Sequence, residues 1–167
     1  MMAEQFVQET VQFINTLPPS SIYLVFFLVA YVENIVPPIP GDVLVAFGGY
    51  LAAESVIGLI PVLLLTTIAS VIGFMSMYWI GSRWGSLIQE KKKQFWLLRF
   101  IPLKYINNVR SWMQRWGMGV VAANRFLAGT RSVISLTAGL SHTRISSTIF
   151  YSALSSILWN GILLGFG

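Results

Sequence analysis

The sequence predicts an all-α integral membrane protein: an inverted repeat of a re-entrant helical hairpin plus a transmembrane helix, with interfacial amphipathic helices. Three observations predict it. The 167 residues are 55% hydrophobic and only 10% charged, where a soluble domain carries about 25% charged residues. Two apolar runs are long enough to cross a bilayer. Two further pairs of apolar legs are each too short to cross, and each pair is interrupted by polar and charged residues. The mean hydropathy of +0.69 agrees, and the length suits one compact membrane domain.

Residues 1–19 read as an interfacial amphipathic helix. Phe6, Val7, Val11, Ile14 and Leu17 recur at helical spacing, with Glu4, Gln8, Gln12 and Asn15 between them, and Pro18 and Pro19 end the pattern. Glu4 and Glu9 with no early Lys or Arg make this stretch neither a secretory signal nor a transit peptide.

Residues 20–54 read as the first re-entrant hairpin. Its first leg, Ser21 to Val36, measures roughly 24 Å as a helix, short of the ~30 Å hydrocarbon core. Its second, Val43 to Ala53, measures roughly 16 Å. "PPIPG" joins them. The alternative is one broken span over 21–53, but that length is too great for a single crossing.

Residues 56–81 are the first transmembrane helix, with Gly58, Ser70, Gly73, Ser76 and Gly81 as small residues for close packing. Residues 82–116 follow as a basic cytoplasmic segment: up to Arg115 it carries eight Lys or Arg against Glu90 alone. Within it Tyr105, Ile106, Val109, Trp112, Met113 and Trp116 fall on one helical face, that of an amphipathic helix on the inner membrane surface. Residues 117–141 form the second hairpin, its legs Gly117 to Leu127 and Ser132 to Leu140 broken at "NRFLAGTR". Residues 145–167 are the second transmembrane helix.

The basic segment fixes the orientation. If 82–116 is cytoplasmic, the first hairpin enters from outside and the second from inside. Two like units of opposite orientation are an inverted repeat, the plan of secondary transporters whose broken helices meet near the midplane. Backbone groups freed at such breaks require protein or a water-filled cavity around them.

Composition excludes several function classes. There are no cysteines and one histidine, His142, so disulfides, thiolate metal sites and thiol catalysis are absent and imidazole chemistry has little scope. No nucleophile–base pair stands out, so an enzyme is not expected, nor is any cofactor. The net charge of +5 and pI near 9.8 are concentrated in one segment and read as inner-leaflet loops facing anionic lipid, not as a nucleic-acid surface.

Four charges stand where lipid exposure would be costly: Glu33 and Asp42 in the first hairpin, Arg125 and Arg131 in the second. A charge at a helix centre costs about 2.5–3.5 kcal/mol on insertion scales. Arginines near helix ends suit a lipid phosphate, because guanidinium bonds it bidentately, and the amides of "AGTR" add donors. A carboxylate in a low-dielectric site can exchange protons near neutral pH, so Glu33 and Asp42 are the proton-coupling candidates. The same four charges also suit a structural lock between the hairpins, and the two roles are compatible. Asn34, Pro37, Pro38, Pro40, Gly41 and Gly129 are the structural residues of the breaks.

"ENIVPPIPGD" together with "NRFLAGTRSVISLTAGL" resembles the DedA family, also called the VTT or SNARE-associated domain family, over about residues 20–167. The family pairs a Glu-Asn and Pro-rich Pro-Gly-Asp motif with a later Arg-Phe-x-x-x-x-Arg motif, and both occur here in order. The resemblance implies an inner-membrane lipid translocator, flippase or scramblase. Its substrate would be a phospholipid or a polyprenyl phosphate carrier such as undecaprenyl phosphate, with proton-motive-force dependence. It implies functional acids at Glu33 and Asp42 and functional arginines at Arg125 and Arg131. Two departures stand out. Ala128 replaces a proline common in the second motif. The chain also stops at "LLGFG", where members continue into another transmembrane helix, so a truncated chain is expected. The competing expectations are a proton- or cation-coupled transporter of a small solute and a non-transport scaffold for membrane assembly.

Overall fold

The computed structural model describes Thr16 and residues 18–36, 39–90, 103–127 and 129–167. The expected N-terminal amphipathic helix, Pro37, Pro38, the lysine run 91–93, Arg99 and Ala128 lie outside the described residues. Within them the chain is helical: α1 (Pro19–Ile35), α2 (Gly41–Ala53), α3 (Leu59–Glu90), α4 (Leu103–Trp116), α5 (Gly119–Ala122), a 3₁₀ turn (Asn124–Phe126), α6 (Arg131–Leu140) and α7 (Ile145–Phe166). Leu59–Arg83 and Ile145–Phe166 are long and apolar enough to cross a membrane.

Proline starts α1 at its first position, where the missing N–H costs nothing. Val36 is already extended, as expected ahead of Pro37. One stripe of α1 is buried: Ile22, Phe26, Ala30, Glu33 and Asn34. Helix α2 runs back along that stripe. Gly41 lies against Glu33 and Val29, Gly48 against the Phe26 ring, and Leu51 shares a cluster with Ile22. The N–H of Gly58 donates to the Tyr23 hydroxyl at 3.0 Å, so the chain leaves this unit near where it entered. The second unit does the same, since Gly117 and Met118 line one cavity with Ser141 and Thr143.

Both units end in the same turn. Val56 N–H bonds Leu51 C=O (2.9 Å) and Ser55 N–H bonds Ala52 C=O (3.1 Å); Thr143 N–H bonds Ala138 C=O (3.2 Å) and His142 N–H bonds Gly139 C=O (3.0 Å). These are paired six-to-one and five-to-two bonds of a Schellman motif. Ser55 (φ 61°) and His142 (φ 46°) take the left-handed position in each. A long helix follows each turn, α3 and α7, and these two are antiparallel: Thr66 meets Asn160 while Tyr78 meets Thr143.

Their packing inverts that of a water-soluble bundle. Ile60, Leu64, Ile68 and Ile72 of α3, and Ile149, Phe150, Leu154 and Leu158 of α7, are exposed. Thr66, Ser70, Ser152, Ser155 and Asn160 are buried between the helices. Small polar residues let helices approach closely and bond to one another where lipid supplies no hydrophobic drive.

Three details differ from expectation. Helix α3 does not stop at 81; it continues to Glu90, because basic residues mark a membrane side without ending a helix, and no proline intervenes. The first leg of the second unit is not one helix over 117–127 but four α-helical residues and a 3₁₀ turn. The apolar face of α4 is divided. Ile106, Val109 and Met113 pack on the protein core, whereas Tyr105, Trp112 and Trp116 stay exposed.

Candidate functional site

Glu33 sits in the last turn of α1 and Asp42 in the first turn of α2, on either side of the break. Arg125 lies in the 3₁₀ turn and Arg131 opens α6. The fold brings all four together. Arg131 pairs through Nη1 with Glu33 Oε1 and through Nη2 with Asp42 Oδ2, the latter at 2.5 Å. Arg125 Nη1 stands 4.0 Å from Glu33 Oε1 and 3.9 Å from Asp42 Oδ1. Arg125 (1% exposed), Glu33 (4%) and Arg131 (9%) are buried; the Asp42 side chain, at 32%, is the open edge of the group.

Local structure explains each position. Asp42 in a first turn is favoured by the helix dipole. Arg131 in a first turn is disfavoured by it, and two carboxylates offset this. Gly41 leaves room for Glu33, since a Cβ there would collide with Glu33 Oε2. Gly129 takes φ 75°, a left-handed conformation that glycine adopts freely, and turns the chain into α6. Pro40 stands immediately before α2. Asn34 does not cap the break: its Nδ2 donates to Ala30 C=O at 2.7 Å, one turn back.

A shell of residues that sequence reasoning left aside holds the four charges. Arg125 donates through Nη2 to Ser70 Oγ, which donates to Thr66 C=O at 2.6 Å. The Arg125 backbone N–H donates to Ser155 Oγ at 3.3 Å. Trp159 Nε1 donates to Asp42 Oδ1 at 2.9 Å, and Phe126 meets the Trp159 ring edge-to-face at 5.2 Å. Asn160 Nδ2 donates to Thr66 Oγ1 at 3.2 Å. In sequence Thr66, Ser70, Ser155 and Asn160 stand among the other small polar residues of two largely apolar helices, with nothing local that singles them out.

The group is neutral in sum, two guanidinium against two carboxylate groups, and it keeps unused donors. Among the described residues Arg125 Nε, Arg131 Nε and Ser132 Oγ are buried without a hydrogen-bond partner, and so is the acceptor Glu33 Oε2. Ser132 is in the first turn of α6, which has no side-chain cap. Free N–H groups at a helix start, two guanidinium edges and a hydroxyl form a donor set for an oxyanion.

A family model described as the VTT domain matches residues 39–167. An alkaline phosphatase-like protein of Lactococcus lactis is 32% identical over 147 residues, covering 85% of this chain and 69% of the relative. The inner membrane protein YghB of Escherichia coli is 32% identical over 151 residues, covering 89% and 67%. Undecaprenyl phosphate transporter A of Bacillus subtilis is 29% identical over 129 residues, covering 77% and 64%. The chain thus spans about two thirds of the length of these relatives. No solved structure matches it. The family match includes Asp42, Arg125 and Arg131, and the chain belongs to the VTT-domain family, the DedA proteins, as an all-α protein of the inner membrane.

Proposed function

We propose that the protein is a lipid translocator that moves a phosphate-bearing lipid, a phospholipid or a polyprenyl phosphate, between leaflets with proton coupling. The observation that carries the reading is the four-charge group, buried except at Asp42, with three unused donors in and beside it. A phosphate entering at the Asp42 edge competes with that carboxylate for Arg131, and Trp159 holds the displaced Asp42 aside. Arg125, anchored on Ser70, donates to the second phosphate oxygen. The resting group is neutral, so each negative charge admitted is balanced by a proton taken up on Asp42 or Glu33. A fixed charge imbalance in a low-dielectric site would be too costly to populate. Release of the phosphate returns the proton and restores the ion pairs.

The two units are proposed to be re-entrant hairpins of opposite orientation, whose tips carry the charges to the midplane. Their shared Schellman endings and the return of each chain to its starting side support this. Relatives named as transporters support a non-enzymatic role. The name of the Bacillus subtilis relative supports a polyprenyl phosphate as the substrate.

Proteoliposomes loaded with labelled polyprenyl phosphate test the proposal. Leaflet exchange is expected to depend on the protein. Unlabelled polyprenyl phosphate should suppress it, and inorganic phosphate at the same concentration should not. Exchange that ignores the unlabelled lipid, or flux of a small anion in its place, would move the reading to a small-solute transporter.

A further inference from the structure

Helix α4 borders an apolar groove of about 370 Å³ lined by Trp112, Trp116, Gly119, Val120, Ala123 and Leu127. The volume is within the range of small-molecule clefts, roughly 300–1,000 Å³. The groove does not belong to the four-charge group. Its outer wall is the half of the α4 apolar face that the protein core leaves uncovered, Trp112 and Trp116. Gly119 widens it: a Cβ there would meet nothing within 4 Å.

The charge at the groove is basic. Arg115 lies next to Trp116 on α4, and no acidic residue follows Glu90 in the sequence. The Arg115 guanidinium sits over the Trp116 ring, 5.7 Å from its centroid, which holds a cation at the groove wall. Among the described residues neither Arg110 nor Arg115 forms an ion pair. An apolar cleft, an interfacial tryptophan pair and a cation stacked on one of those tryptophans match the two ends of one molecule, a hydrocarbon tail and an anionic headgroup.

We propose that this groove is a binding site for an anionic diacyl phospholipid of the surrounding leaflet. One acyl chain lies along Gly119, Ala123 and Leu127, and the phosphate lies at Arg115. The tryptophan rings divide tail from headgroup, the depth at which Trp concentrates in membrane proteins. The site binds lipid whether or not the four-charge group translocates any, so it is independent of the transport reading.

Bromine on an acyl chain quenches a tryptophan that it touches, which gives a direct test. The full chain is reconstituted in phosphatidylcholine vesicles doped with brominated-chain phosphatidylglycerol or, at equal mole fraction, brominated-chain phosphatidylcholine. The signal of Trp112 and Trp116 is isolated by subtracting a Trp112→Phe/Trp116→Phe variant. Quenching of this pair is expected to be about fivefold more effective by the anionic lipid, the preference that one basic side chain near a membrane surface confers. Gly119→Leu and Ala123→Leu, which fill the groove, should each remove the quenching of the pair, with unchanged far-UV circular dichroism and melting showing that they fold. Arg115→Gln should retain tail quenching but lose the preference. Equal quenching by the two lipids overturns the proposal, and so does a preference that survives both groove-filling substitutions. Brominated-tail polyprenyl phosphate serves as a further arm: if it quenches and phosphatidylglycerol does not, the occupant is not a diacyl lipid and the proposal fails.

Discussion

Arg131 holds two carboxylates, Glu33 and Asp42, from a helix start whose dipole disfavours a cation. Removing it leaves Glu33 as a buried charge with only Arg125 at 4.0 Å. Arg131→Ala is therefore expected to lower stability by about 3–5 kcal/mol, the loss typical when one partner of a buried pair is removed. Glu33→Gln combined with Arg131→Gln should recover most of that loss, as read from denaturant unfolding in detergent micelles. Equal losses in the single and double variants would show that the pair does not lock the hairpins. Gly41→Ala tests the neighbouring geometry. Its Cβ would displace Glu33 Oε2, so lipid exchange should fall well before the protein unfolds, and normal exchange in a folded Gly41→Ala variant would contradict the placement of Glu33. The four charges were legible in the sequence because each interrupts an apolar stretch where exposure to lipid is unaffordable. Gly41 was legible only as part of a break. Its actual task, making room for one carboxylate oxygen, depends on a neighbour that the chain brings back from α1. Ser70, Ser155 and Trp159 were not legible as site residues, since each reaches its partner across the fold and looks, in sequence, like ordinary packing or an interfacial anchor.

At the scale of elements, glycines set how closely the helices cross. Gly81 of α3 faces the backbone carbonyl of Leu136, and Gly139 of α6 faces that of Tyr78. A side chain at either would meet backbone, which cannot rotate away, whereas Gly161 and Gly165 of α7 face open space. Gly81→Val and Gly139→Val are each expected to destabilise by about 1–3 kcal/mol or more, as over-packing does, while Gly161→Val stays near the parent protein in thermal melts. If all three melt alike, the close crossing of α3 and α6 is wrong. The sequence marked Gly81 as a small residue for close packing, without naming its partner. Helix existence was legible from apolar runs and prolines; helix extent was not. Just past the end of α5 the Arg125 N–H bonds Ser155 of α7, a tertiary contact with no local signature. Periodicity likewise defined an apolar face on α4 but not its division between Ile106, Val109 and Met113 on the core and Tyr105, Trp112 and Trp116 outside.

At the scale of the whole molecule, the account requires the turn after α2 and the turn after α6 to lie on opposite sides of the membrane. The chain has no cysteine, so Glu54→Cys and Ser141→Cys each carry a single thiol at an exposed turn position. An impermeant maleimide applied to intact cells should label the first from outside and the second only after the membrane is opened. Labelling of both from one side would dismantle the inverted repeat. The order of short legs and breaks was legible because they alternate with long apolar runs along the chain, and the basic segment predicts the orientation that this labelling checks. The polar seam between α3 and α7 was not, because the same serines and threonines would pattern identically on a lipid-facing helix that bonds them back to its own carbonyls. The central claim is that these two units meet in a charge group that handles a lipid phosphate, and the most direct measurement is transbilayer exchange of labelled polyprenyl phosphate in proteoliposomes. Arg131→Ala and Glu33→Ala are each expected to abolish protein-dependent exchange, and an imposed pH gradient is expected to change its rate in the parent protein. Exchange that proceeds unchanged in both variants would contradict the central claim.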